Sequence, residues 1–155
     1  MKKAYLSIGT NLGDRLRNLQ EAVDALRLLP RTKVIKCSGV YETAPWGYAQ
    51  QDDFYNICVL IETELSPNAL LGACLGIEAA LGRVRSFKNA PRCIDVDIIL
   101  YEDVEMCTPE LTIPHREMNN RAFVLVPLAE LTDRYREYIE TVKEQKIDKT
   151  DLCIL

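Results

Sequence analysis

A chain of 155 residues, 48% apolar and 27% charged, has the size and composition of one compact domain spanning residues 1–155, and leaves no room for a disordered or low-complexity protein. The formal net charge of −4 argues against broad nucleic-acid binding, and six cysteines without a CxxC pair beside the single His115 argue against a zinc site or a disulfide framework. The opening apolar run breaks at Ser7 and Gly9, too early for a signal peptide or a membrane span, so a cytoplasmic protein with mostly buried, reduced thiols is expected.

KAYLSIG reads as a first strand ended by Gly9-Thr10-Asn11. Leu16, Leu19, Val23 and Leu26 then recur at helical spacing and predict an amphipathic helix ending near Pro30. Residues 33–43 and 54–64 are rich in β-branched and aromatic residues and predict two strands, separated by a loop that Pro45 and Gly47 punctuate. Ser66-Pro67 supplies an N-cap hydroxyl followed by proline at the first helical position, opening a second helix that ends around Gly82. A basic loop follows, then a strongly apolar strand from Cys93 to Tyr101. Strand, helix, strand, strand, helix, strand is the order of an α+β, ferredoxin-like βαββαβ sandwich. Residues 105–113 predict a small added hairpin, and residues 117–145 a largely helical end with a polar tail.

The last of these strands reads CIDVDIIL. Period-two alternation puts Asp95 and Asp97 on one face and Ile94, Val96 and Ile98 on the other. Two like charges among apolar neighbours are costly unless a cation compensates, and hard oxygen ligands favour magnesium. Taken alone, a D-x-D pair suits solvated acids on an edge strand better than a metal site. The window leading to it holds Arg83, Arg85, Lys88 and Arg92 with no acid among them. Guanidinium groups beside a carboxylate-bound metal are what phosphoryl transfer needs; the alternative is that these arginines only pair with the aspartates. A third cluster, TIPHREMNNRAF, brings His115, Arg116 and Arg121 to a loop-to-helix junction, where backbone N–H groups would add to the side-chain charges on a phosphate. Phe54 and Asn56 share a strand face near Thr43, Ala44, Pro45 and Trp46, a combination of aromatic and amide groups suited to a flat, hydrogen-bonding heterocycle. A strand aromatic also fits an ordinary core.

With these pieces in place, the sequence resembles the 6-hydroxymethyl-7,8-dihydropterin pyrophosphokinases of folate biosynthesis. The resemblance rests on YLSIGTNLGD, YETAPWG, the FYN of the third strand, IEAALGRVR, PRCIDVDIILY and LTIPHREMNNRAFVLVPL, in this order over nearly the whole chain. It implies that Asp95 and Asp97 bind two magnesium ions, with ATP as co-substrate. It implies an ATP site from Glu78, Arg83, Arg85, Arg92, Ile98, Thr112, His115, Arg116 and Arg121, with Arg83, Arg85 and Arg92 active in catalysis. It implies a pterin pocket from Thr43, Ala44, Pro45, Trp46, Phe54, Asn56 and Phe123, the ring stacking between the two phenylalanines. Loops 44–53 and 83–92 would act as lids, and the protein would be a monomer or weak dimer without nucleic-acid or membrane partners. The chain departs from the family where SFKNAPR lacks a common tryptophan, at Ala44 and Leu75, and after residue 128. Two rivals stand beside this reading: a nucleotide-binding regulatory module of the same fold, and a kinase that moves only the γ-phosphoryl group.

Overall fold

The computed structural model describes residues 1–45, 50–83 and 93–155. The chain runs β1 (Lys2–Thr10), α1 (Arg15–Arg27), β2 (Thr32–Cys37), β3 (Tyr41–Thr43), β4 (Phe54–Thr63), α2 (Pro67–Ala80), β5 (Asp95–Tyr101), β6 (Met106–Cys107), β7 (Thr112–Ile113), α3 (Ala122–Leu128) and β8 (Ile147–Lys149), with 3-10 turns at Met118–Asn120 and Arg136–Val142. The main sheet is ordered β5-β1-β4-β3-β8, and β2 pairs with the far half of β4. Taking β2 and β3 as one broken strand gives the 4-1-3-2 order of the ferredoxin-like fold. The predicted class therefore holds, including the small β6–β7 hairpin.

The helices begin where their caps dictate. The carboxylate of Asp14 accepts the Arg17 N–H and the hydroxyl of Ser66 accepts the Ala69 N–H, each satisfying a backbone donor that the first turn leaves open. Leu19, Val23 and Leu26 of α1 and Leu70, Cys74 and Ile77 of α2 bury against one face of the sheet, where Leu6, Ile8, Ile57, Val59, Val96 and Ile98 meet them. Each fully buried Leu or Ile contributes about 1.5–3 kcal/mol of transfer free energy. On the other face, α3 packs over Cys58, Ile99 and Leu100. That layer covers only part of the sheet, and beside it the second face carries the polar side chains described below.

Three expectations need correction. The single strand expected over residues 33–43 is split, because the Ser38 hydroxyl takes the Cys58 N–H at 2.9 Å and interrupts the backbone ladder between β2 and β3. The end expected to be helical holds only α3 and two 3-10 turns, and the tail beyond it adds β8 to the sheet, pairing Ile147 with Thr43 and Tyr41 with Lys149. Leu152 and Ile154 pack on the core beside α1, so the last residues are docked. Finally, only Cys58 and Cys74 are fully buried; Cys37 and Cys93 are half-buried and Cys107 and Cys153 exposed, all as free thiols. Among the described residues no helix is long and apolar enough to cross a membrane.

Candidate active site

β1 and β5 set the floor of the site. In their antiparallel register Ser7 faces Asp97 and Gly9 faces Asp95, so small residues on the central strand lie beside the two carboxylates. Val96 and Ile98 are 4% exposed in the core of the opposite face, and the two aspartates accordingly share the polar face. The next strand across, β4, presents Phe54 and Asn56, and β3 presents Thr43, whose hydroxyl accepts the Asn56 amide N–H at 2.8 Å.

These side chains line a cavity of about 270 Å³ together with Ala44, Arg83, His115, Arg121 and Phe123. A second cavity of about 290 Å³ lies along the outer edge of β5, between Leu71 of α2 and the segment 108–116. Its wall includes Ile98, Thr112 and Arg116, and Asp97 and His115 belong to both cavities. One volume is walled by two phenylalanines, an amide and hydroxyls beside charged groups, the other by apolar side chains with Thr108, Glu110, Thr112 and Arg116, and they meet at an aspartate and a histidine.

Electrostatics at this junction is unusual. The Arg83 Nη1 donates to Asp95 Oδ1 at 2.7 Å and to Glu78 Oε2 at 2.9 Å, with only 12% of its side chain exposed. Glu78 Oε2 also accepts the Val96 N–H at 2.8 Å. Burial pushes the Glu78 carboxyl up, against the pull of Val96 and Arg83. Asp97 is pushed up to about 7, first by burial and then by Asp95 and Glu78, so its carboxyl resists ionisation when nothing offsets these neighbours. Burial and then Arg121 hold the His115 ring below its ordinary value, and Nδ1 accepts the Glu117 N–H at 3.1 Å, which leaves Nε2 to carry the proton of the neutral ring. A 2.9 Å bond from the His115 N–H to the Ile99 carbonyl ties this segment to β5. The Arg121 guanidinium stands 5.3 Å from the Phe123 ring centroid.

Of the residues expected from sequence, the first cavity gathers Thr43, Ala44, Phe54, Asn56, Phe123, Arg83, Asp95, Asp97, His115 and Arg121, and the second gathers Ile98, Thr112 and Arg116. Pro45 and Glu78 line neither; Glu78 is 4% exposed beneath β5. Trp46, Arg85 and Arg92 lie outside the described residues, as do residues 46–49 of the first expected lid and all but Arg83 of the second. The alternative raised for the arginines, pairing with an aspartate, is what Arg83 does. The expected helix N-terminus contributes little to an anion site: α3 has seven residues, and its Ala122 N–H is taken by Gln145 Oε1 at 2.9 Å. Sequence reasoning missed Ser7, Gly9, Leu71 and Leu111 as lining residues. For Ser7 and Gly9 a signal existed, two small residues at period two on a strand otherwise rich in large ones.

No group of three or more His, Cys, Asp and Glu side chains that could hold a metal ion occurs among the described residues. The donors available are the Asp95 and Asp97 carboxylates, hard oxygen ligands whose mutual repulsion a divalent cation would relieve. As a donor pair they fit a hard divalent cation such as magnesium.

The model of a family described as 7,8-dihydro-6-hydroxymethylpterin-pyrophosphokinase (HPPK) matches residues 5–133. A 2-amino-4-hydroxy-6-hydroxymethyldihydropteridine pyrophosphokinase of Methylorubrum extorquens is 47% identical over 144 residues, covering 93% of this chain and 91% of that one. The bifunctional protein FolKE of Lactococcus lactis is 42% identical over 144 residues, covering 93% of this chain and 41% of the relative, which is thus more than twice as long. Among solved structures, wild-type HPPK-DHPS of Plasmodium falciparum superposes with a TM-score of 0.65 at 18% identity, covering 94% of this chain and 45% of that one, a likeness of fold.

Proposed function

Since the chain belongs to the 7,8-dihydro-6-hydroxymethylpterin-pyrophosphokinase family, we propose that its two adjoining cavities seat the two substrates and that Asp95 and Asp97 stand where they react. The activity is transfer of the pyrophosphoryl group of ATP to 6-hydroxymethyl-7,8-dihydropterin, giving the pterin diphosphate and AMP in folate biosynthesis.

The observation that carries the assignment of roles is the sharing of Asp97 and His115 by the two cavities. The pterin takes the first cavity. Its ring lies between Phe54 and Phe123, and its amide and amino edge meets Asn56 and Thr43, whose mutual hydrogen bond fixes the amide's orientation. The nucleotide takes the second, its base against Leu71, Ile98 and Leu111 and its phosphates directed to Arg116 and, across the junction, to His115 and to Arg121 of the first cavity. The hydroxymethyl oxygen attacks the β-phosphorus, the bond from that phosphorus to the α-phosphate oxygen breaks, and AMP leaves with that oxygen while the hydroxyl proton passes to solvent.

Asp95 and Asp97 would hold two magnesium ions, which when bound supply charge neutralisation and orientation of the phosphate oxygens. The chain's own groups do the rest. Glu78 and Arg83 hold Asp95 and the β5 backbone in place, and the neutral His115 offers a donor at Nε2 without adding charge to be desolvated. Arg121 adds a cation facing the phosphates, and the family resemblance gives Arg85 and Arg92 the same task. The protein works in the cytoplasm as a monomer or weak dimer.

Calorimetric titration with the α,β-methylene analogue of ATP tests the assignment of roles. Binding is expected to depend on added magnesium in the native chain, and to lose that dependence in an Asp95→Asn/Asp97→Asn variant. Magnesium-dependent affinity that survives both substitutions would remove the aspartates from the metal role.

A further inference from the structure

We infer that Arg15 is a positioning residue for the acceptor, gripping from the helix-packed side of the sheet the strand ends whose other side carries Thr43, Phe54 and Asn56. The inference rests on the first cavity being the pterin site.

Arg15 is the first residue of α1, a position where the helix dipole disfavours a cation. Its side chain instead turns to the sheet and is 27% exposed. Nη1 donates to Glu42 Oε2 at 3.0 Å and to the Asp53 carbonyl oxygen at 3.0 Å, and the guanidinium carbon stands 3.8 Å from the Tyr55 ring centroid. Glu42 and Tyr55 are direct cross-strand partners between β3 and β4. By the alternation of a strand their side chains point away from the face that Thr43, Phe54 and Asn56 share.

One guanidinium thus ties the last residues of β3 to the first of β4 from behind the cavity. Asn11, 2% exposed, adds to the grip: its Nδ2 donates to the Asp52 carbonyl at 3.0 Å and to Gln51 Oε1 at 2.5 Å. Asn11 and Arg15, at the two ends of the turn between β1 and α1, therefore hold the three consecutive residues that lead into β4. A partly exposed ion pair contributes little stability, so the consequence of these contacts is geometric. Thr43 and Asn56 must meet a planar ring edge at hydrogen-bond distance, and a misplacement of about 1 Å can cost on the order of 100-fold in rate.

The test uses the full chain with Arg15→Met, which keeps the apolar stem, and Arg15→Lys, which restores the charge and a donor but not the planar contact with Tyr55. Steady-state kinetics give KM for each substrate, and the pterin's own fluorescence gives its Kd. The expected result for Arg15→Met is a rise of about tenfold in pterin KM and Kd, with ATP KM within about twofold, and Arg15→Lys lying between it and the native chain. Should Arg15→Met not fold, Glu42→Gln removes the partner's charge at constant shape, and pterin KM should rise about threefold. If the native chain turns over and pterin KM stays unchanged in the variants that fold, Arg15 has no positioning role. Equal rises in both KM values, tracking a loss in Tm, would reduce it to a stabilising contact. A native chain that binds no pterin would instead sink the parent reading of the cavity.

Discussion

Glu78 accepts the backbone N–H of Val96, the residue between Asp95 and Asp97, and with the same Oε2 holds Arg83, which in turn holds Asp95. A glutamate on α2 thus sets the height of β5 against the helix layer and the orientation of one site carboxylate. Glu78→Ala leaves a buried N–H and a guanidinium short of an acceptor, and should cost on the order of 3 kcal/mol. Glu78→Gln keeps the shape and an acceptor for Val96 and should lose less. Urea unfolding of the two variants measures the order, and equal stabilities for all three proteins would contradict the assigned contacts.

At Gly9 an added side chain would have to displace a residue of the site. A Cβ there would lie 2.8 Å from Asn56 Oδ1, well inside van der Waals contact, with Phe54 next at 3.7 Å. Gly9→Ala should displace the Asn56 amide from Thr43 and raise pterin KM about tenfold while leaving ATP KM nearly unchanged. Kinetics with each substrate varied in turn measure the split.

Asp97 should carry a stability penalty in exchange for its chemistry. Its folded-state value of about 7 lies above that of an unfolded carboxyl, so the native state binds the proton more tightly and loses stability as pH rises through this range. Asp97→Asn removes the charge. Without magnesium and ATP, its Tm should exceed that of the native chain at pH 8, the gap closing as pH falls toward 4, while turnover falls by more than about 100-fold. Thermal melts across pH together with a product assay measure both effects.

Glu130 behaves in the opposite sense. Burial pushes its carboxyl up, but the Tyr41 hydroxyl, the Gly39 N–H and Lys149 outweigh this and hold it below the ordinary value. The stability it contributes is present above the unfolded carboxyl value and is lost as pH falls through the depressed one. Glu130→Gln should therefore be less stable than the native chain at pH 6, with the difference shrinking below pH 4, as denaturant titrations at both values would measure.

What the sequence made legible follows from where its signals are local. Period-two alternation in CIDVDIIL and helical spacing in α1 and α2 belong to single elements, so the sheet faces and the aspartate pair could be read directly. β8 could not. Ile147-Asp148-Lys149 has no apolar alternation and forms a strand because β3, more than a hundred residues earlier, offers it an edge, while Lys149 reaches Glu130 at 3.5 Å. The break between β2 and β3 was equally hidden, since Ser38 interrupts the ladder only by finding Cys58 on another strand. Of the site, the clustered arginines, the aspartate pair and Phe54 announced themselves by type, whereas Phe123 and Glu78 entered only through the family resemblance. Ser7 and Gly9 matter through their smallness opposite Asp97 and Asp95, a property of register rather than of chemistry. Arg83 was readable as a cation near the acids, but its division between Glu78 and Asp95 depends on α2 docking beneath β5.

The most direct measurement is phosphorus NMR of the purified chain with magnesium, ATP and 6-hydroxymethyl-7,8-dihydropterin, beside a control without pterin. AMP and a pterin diphosphate should appear together, only when pterin is present. ADP as the nucleotide product, or unchanged ATP in the presence of folded protein, would contradict pyrophosphoryl transfer.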